Sequence, residues 1–204
     1  MDQAASHAAQ GEARIGPNAI LQVAEALRDH HGEETARQVF DRAGLLEWLT
    51  SPPSAMVPES TVAALHQAVR QQLDADTAAE LLRDAGVRTG HYVRRNRIPA
   101  PVRAILRYLP PVASGPILLS AIERHAWTFV GSGTLVIHRG RPCVLELTHN
   151  PVLRGEQAPE PICHWHAAAF ETLFRELVSS HATVRETACE AAGDDACRFE
   201  LSYR

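Results

Sequence analysis

The sequence predicts an α+β fold: a helical first half, then an antiparallel sheet packed on helices. Three observations carry this. Apolar residues recur at three- and four-residue spacing between positions 16 and 96, as on one face of a helix. Past position 127, β-branched and aromatic runs are separated by glycine-containing breaks. The closing segment alternates, so that Cys197, Phe199, Leu201 and Tyr203 share one face of a strand.

Residues 1–16 read as a flexible tail. The stretch 16–32 reads as a helix, with Pro17 in its first turn, Ile20, Val23, Ala24 and Leu27 on one face, and Gly32 as a stop. Residues 33–44 repeat the scheme. The segment "SPPSAMVPES" (51–60) holds three prolines and reads as a loop, and 61–73 and 76–96 read as two further helices. Shorter helices are expected near 101–109 and 115–125. Residues 127–151 read as strand, turn and strand, broken at "GSG" and "RGRP". Residues 164–181 form an amphipathic helix with Phe170, Leu173, Phe174 and Leu177 on one face. The chain closes as a hairpin with its tip at "AAGDDA". The expected organisation is therefore a tail (1–16), an N-terminal helical region (17–87) and a ligand-binding domain (88–204).

Composition narrows the chemistry. The 204 residues carry a formal charge of −4, so the molecule as a whole is no polyanion binder. All 20 basic residues are Arg. Schiff-base chemistry and a phosphate-cradling P-loop both need Lys and are excluded. The first residues lack the apolar run of a secretory signal, and no stretch approaches the roughly 18 apolar residues of a membrane span. A cytoplasmic protein is expected. Its four cysteines then point to metal binding or catalysis more than to disulfides.

Three of those cysteines, with one glutamate, fall in two short segments. Cys163 opens a helix, Glu186 and Cys189 lie on the first arm of the hairpin, and Cys197 begins the second. Three sulfurs and a carboxylate in a tetrahedron suit zinc. Strict alternation would place Glu186 and Cys189 on opposite faces, so the strand must end, bulge or turn between them. Three thiolates and a carboxylate also leave excess negative charge, which Arg185 and Arg198 could offset. Small buried thiols beside a surface carboxylate would produce the same spacing without any metal.

The phrases "TGHYVRRNRIP", "LLSAIERHAWTFVGSG" and "CHWHAAAFETLFRELV…VRETACEAAGDDACRFEL" resemble the 4-vinyl-reductase domain family, over residues 88–204. That domain also occurs in the sensor modules of bacterial aromatic-compound-responsive regulators. Over residues 17–204 the chain resembles the family's stand-alone members of bacteriochlorophyll biosynthesis. The resemblance implies a structural zinc on Cys163, Glu186, Cys189 and Cys197. It also implies a fold similar to that of the dimeric, lipid-binding subunits of vesicle-tethering complexes, hence a homodimer with an apolar cavity.

A vinyl reduction needs a hydride or electrons. The one glycine cluster, "GSGTLVIHRG", lacks the dinucleotide-binding spacing and sits between strands, and an iron–sulfur cluster would compete for the zinc cysteines. The expectation is therefore a carrier of a Mg-tetrapyrrole, of Mg-protoporphyrin or protochlorophyllide type, passing it between enzymes such as magnesium chelatase and its successors. The alternatives are an 8-vinyl reductase with an outside reductant, and a small-molecule sensing module, which needs an output domain that these residues do not hold. Nucleic acid is not expected as a partner. Arg94, Arg95 and Arg97 are candidates for the pigment's carboxylates. Among His91, His125, His164 and His166, the first choice as axial ligand to magnesium is His125, beside Trp127 and Phe129. Tyr92 and Trp165 complete the candidate pocket.

Overall fold

The computed structural model describes residues 12–203, and the first eleven positions of the expected tail lie outside them. Helix α1 (Asn18–Arg42) is the expected pair of helices joined at a kink. Gly32 makes that kink with φ 81°, a backbone angle that costs other residues a steric penalty. Helix α2 (Glu59–Gln72) follows the proline loop, and α3 (Ala75–Asn96) starts at Asp74, whose side chain accepts a hydrogen bond from Thr77 N at 3.0 Å. Part of the expected tail is ordered: Arg14–Ile15 forms strand β1, antiparallel to β2 (Val57–Pro58) inside the expected loop. Ile15 is 1% exposed, and burying it against the helices explains why the chain is held there.

Helices α4 (Ala100–Tyr108) and α5 (Pro111–Arg124) match the two short helices, although α5 starts four residues early because Pro111 fits a first helical turn. Residues 127–130, expected as strand, form instead the one-turn helix α6 (Trp127–Val130). Thr128 N and Thr128 Oγ1 both donate to the carbonyl of His125, so the turn continues the end of α5 and overrides the β-branched composition. The strands then follow as β3 (Thr134–His138), β4 (Cys143–Thr148), β5 (Thr183–Ala188) and β6 (Cys197–Ser202), an antiparallel sheet in the order β3-β4-β6-β5. Helix α7 (His164–Leu177) lies between this sheet and α3. The architecture is α+β.

Two apolar cores result. One is built from α1, α2 and the first half of α3; the other from α5, α7 and the sheet. The expected division at 87/88 does not interrupt the backbone, because α3 runs through it as one helix. Gly86 and Gly90, one turn apart, let α3 approach α7 closely. A Cβ on Gly90 would stand 2.6 Å from Thr172 Cβ, and one on Gly86 2.8 Å from Ala168 Cβ. Glu59, 3% exposed, ties the two cores together by accepting from Ser132 N and Ser132 Oγ (both 2.8 Å) and from Arg154 (2.6 Å).

Candidate metal centre

The sheet and α7 carry Cys163, Glu186, Cys189 and Cys197 into one cluster. Cys163 is the residue before α7, in a non-helical conformation, and its carbonyl accepts the helix's first bond, from Ala167 N. Cys197 opens β6, with its side chain on the buried face of the alternation. Between Glu186 and Cys189 the ladder slips: Glu186 pairs with Phe199, whereas Ala188 pairs with Arg198. This bulge adds the one residue that alternation lacked and brings the carboxylate and the thiol to the same side. Cys189 then caps the 3-10 turn Glu190–Ala192 that leads into the hairpin tip.

One donor atom from each of the four residues lies within 4.8 Å of the others. Cys163 Sγ stands 3.6 Å from Cys197 Sγ and 4.0 Å from Cys189 Sγ. A tetrahedron with metal–sulfur bonds of about 2.3 Å has edges of about 3.8 Å, so the spacing suits such an ion. The three sulfurs are buried, and none of the four cysteines is disulfide-bonded. Glu186 Oε2 accepts from Cys163 N at 2.7 Å, while Oε1 is buried with no hydrogen-bond donor. A carboxylate oxygen so placed is satisfied by a cation. The donor set therefore fits a divalent ion of zinc type, and four protein ligands would leave it no open position.

The electrostatics agree. Burial, then the charge of Cys189, pushes Glu186 up to about 8. Burial raises the Cys163 thiol well above its ordinary range. Hydrogen bonds from the Cys163 and Cys197 thiols hold Cys189 far below it, aided by the backbone at Ile162 and Ala191. Without a cation the cluster thus favours one thiolate among protonated neighbours. A divalent ion would deprotonate the rest and release protons on binding.

The outer partners differ from expectation. Arg185 pairs with Glu200, and Arg198 with Glu146 and Asp195, so neither guanidinium is engaged with the cluster. Asn150, 3% exposed, takes that place: its Nδ2 stands 3.4 Å from Cys163 Sγ and 3.7 Å from Cys197 Sγ. Glu190 fixes Asn150 by accepting its backbone N–H at 2.8 Å and that of His149 at 2.6 Å.

The candidate pigment residues do not share one pocket. Trp165 is a core residue, 4% exposed, donating its indole N–H to Thr89 Oγ1 at 3.1 Å. It faces α3 because His166, its neighbour on α7, faces the sheet. His164 is half-buried at the start of α7. Arg94 pairs with Glu176 at 3.1 Å, with His91 4.0 Å from the same carboxylate. Arg95 and Arg97 are exposed at the end of α3, and Tyr92 is half-buried there. His125 and Trp127 are exposed together, and Phe129 is half-buried against both cores. His125 Nδ1 lies 2.8 Å from the carbonyl of Ala121, so it carries the proton and leaves the Nε2 lone pair outward. One feature escaped the sequence: His166, 2% exposed, has an unpartnered Nε2 inside a cage of Phe129, Phe170, Phe199 and Trp165. Two clefts open elsewhere: one of about 290 Å³ between Leu119, Cys143 and Tyr203, and one of about 520 Å³ beside Asn150 and Arg154.

Comparison with known proteins places this site in a family. Residues 143–203 match the family model of the 4-vinyl-reductase domain. The chain is 46% identical over 188 residues to the bacteriochlorophyll synthase 23 kDa chain of Cereibacter sphaeroides, covering 92% of this chain and 90% of that one. It is 43% identical over 202 residues to the protein of the same name in Rhodobacter capsulatus, covering 98% and 92%. Among solved structures, an Fe(II) unliganded H-NOX protein from K. algicida is similar in fold at 15% identity, with a TM-score of 0.57 over 93% of this chain and 97% of that one. An H-NOX protein from S. oneidensis in the Fe(II)NO state is similar at 10% identity, with a TM-score of 0.54 over 93% and 99%.

Proposed function

Since the chain belongs to the family of the bacteriochlorophyll synthase 23 kDa chain, we propose that it serves bacteriochlorophyll biosynthesis by binding a Mg-tetrapyrrole and carrying it between pathway enzymes. The observation that carries this reading is the match to those relatives along nearly the whole of both chains. The closed donor set supports binding over catalysis, because zinc held on Cys163, Glu186, Cys189 and Cys197 braces the fold and commits three of the four cysteines.

In this reading magnesium takes His125 Nε2 as its axial ligand and the ring stacks on Trp127. Arg95 and Arg97, which have no carboxylate partner among the described residues, meet the propionates. The protein acts in the cytoplasm as a homodimer and exchanges pigment with magnesium chelatase and the enzymes that follow. No helix among the described residues is long and apolar enough to cross a membrane. A second axial ligand is favoured by the unpartnered Nε2 of His166; there the pigment would have to part the aromatic cage.

Titration with Mg-protoporphyrin tests the reading. A red-shifted Soret band saturating at one pigment per chain is expected, reduced by His125→Ala and unaffected by His166→Phe. The reverse pattern would move the ligand to His166. No spectral change at micromolar pigment would overturn the carrier role. A gain of two hydrogens in divinyl protochlorophyllide on incubation with a reductant would instead make the protein a vinyl reductase.

A further inference from the structure

Helices α4 and α5 leave an apolar face without a partner. Of α4, only Leu106 is buried. Val102 (40%), Ile105 (57%) and Tyr108 (92%) are exposed, and on α5 so are Val112 (60%) and Ile117 (48%). Isolated apolar residues on a surface need no explanation, but five on two consecutive helices do.

The same stretch is charged in one sense only. Residues 85–122 hold six arginines and no Asp or Glu, while the rest of the chain holds fourteen arginines against 24 acidic residues. Arg88 and Arg94 are engaged with carboxylates. Arg95, Arg97 and Arg107 are exposed and have no carboxylate partner among the described residues. Arg103 Nη1 donates to the carbonyls of Arg94, Arg95 and Ile98 at 3.1, 2.9 and 2.9 Å. It thereby pins α4 to the end of α3 and gathers the unpaired arginines and the apolar residues at one corner.

We propose that this corner docks on an anionic lipid surface, with Ile105, Tyr108, Val112 and Ile117 entering the headgroup boundary and Arg95, Arg97 and Arg107 meeting lipid phosphates. Charge complementarity selects the occupant. A second copy meeting this face through a two-fold axis would bring like arginines together. A folded acidic protein is recognised through placed polar pairs, whereas α5 offers only the half-buried Ser120 and two charged residues at its end. A bilayer needs only apolar depth and positive charge, and Arg side chains can lay their stems on apolar surface while their heads reach phosphate. Tyrosine suits the same boundary.

The test uses the full chain without pigment, so its failure leaves the carrier reading standing. The probes are vesicles of phosphatidylcholine alone and of phosphatidylcholine and phosphatidylglycerol in equal parts. Co-sedimentation with the anionic vesicles only, weakened by salt, is expected. Each of Arg95→Gln and Arg97→Gln should lower partition about fivefold, and Ile105→Asp about tenfold or more. All three positions are exposed, and circular dichroism should show the variants folded. Absence of binding to anionic vesicles, equal binding by Ile105→Asp, or conversion of a wild-type dimer to a monomer by that substitution would each overturn the proposal.

Discussion

A carboxylate oxygen buried without a hydrogen-bond donor costs on the order of 1–3 kcal/mol, and Glu186 Oε1 is such an atom. A bound cation removes that cost, so purified protein should contain one equivalent of zinc by elemental analysis. Replacing Cys189 or Cys197 by Ser should abolish the metal and lower stability by about 3 kcal/mol or more. That corresponds to roughly 10 °C in a thermal melt, and retained metal with an unchanged melt would refute the site. Two buried imidazoles make a separate prediction. Burial is the main cause holding His66 at about 3 and His166 at about 4, against about 6.5 in an unfolded chain. Above pH 6.5 neither state takes up the proton, and stability is complete. Below it the unfolded chain binds protons that the native state refuses. Stability therefore falls as pH drops from about 6.5 towards about 4, by up to about 1.4 kcal/mol per pH unit for each imidazole. His66 Nε2 lies 3.2 Å from the carbonyl of Ala19, a bond that Gln can replace. Urea midpoints of His66→Gln between pH 7 and pH 5 should decline less steeply than those of the native chain, and equal slopes would exclude the imidazole as the cause.

At the scale of elements, the α3–α7 contact depends on Gly86 and Gly90. An added Cβ at Gly86 would strike the backbone carbonyl of Trp165, which cannot rotate aside. Gly86→Ala and Gly90→Val should each cost about 1–3 kcal/mol by overpacking, read as a lower urea midpoint with helix content unchanged. Native-like midpoints would mean that α7 can retreat. How much was legible follows from such particulars. The helices, the hairpin and the need for a break between Glu186 and Cys189 all follow from periodicity, because a phase conflict is visible in one dimension. The α6 turn did not, because four residues of strand-like composition follow the end of α5 and are governed by its capping bonds. Asn150 did not either: it comes from the turn after β4, and no fixed spacing joins that turn to Cys163. Trp165 read as pocket because the close approach of α7 to α3 at Gly86, which buries the indole, is set by helix packing that composition does not record.

At the scale of the whole molecule, two cores unfold together only if something couples them. Helix α3 crosses between them, Glu59 binds Ser132 and Arg154, and Arg70 pairs with Glu156 at 2.9 Å with both side chains 13% exposed. Glu59→Gln removes the charge from the first link and should cost about 1.5–3 kcal/mol. If the link carries the coupling, the single denaturation transition should broaden or split. A sharp transition at the native midpoint would show that α3 alone suffices. The sheet holds a last consequence. Strand β5 lies at its edge, where open backbone groups invite strands from other molecules. A slip of β5 by one residue would turn Glu186 away from the sulfurs. Coordination therefore fixes the register of the strand most exposed to polymerisation, and loss of the ion would first be felt as a tendency to form fibrils.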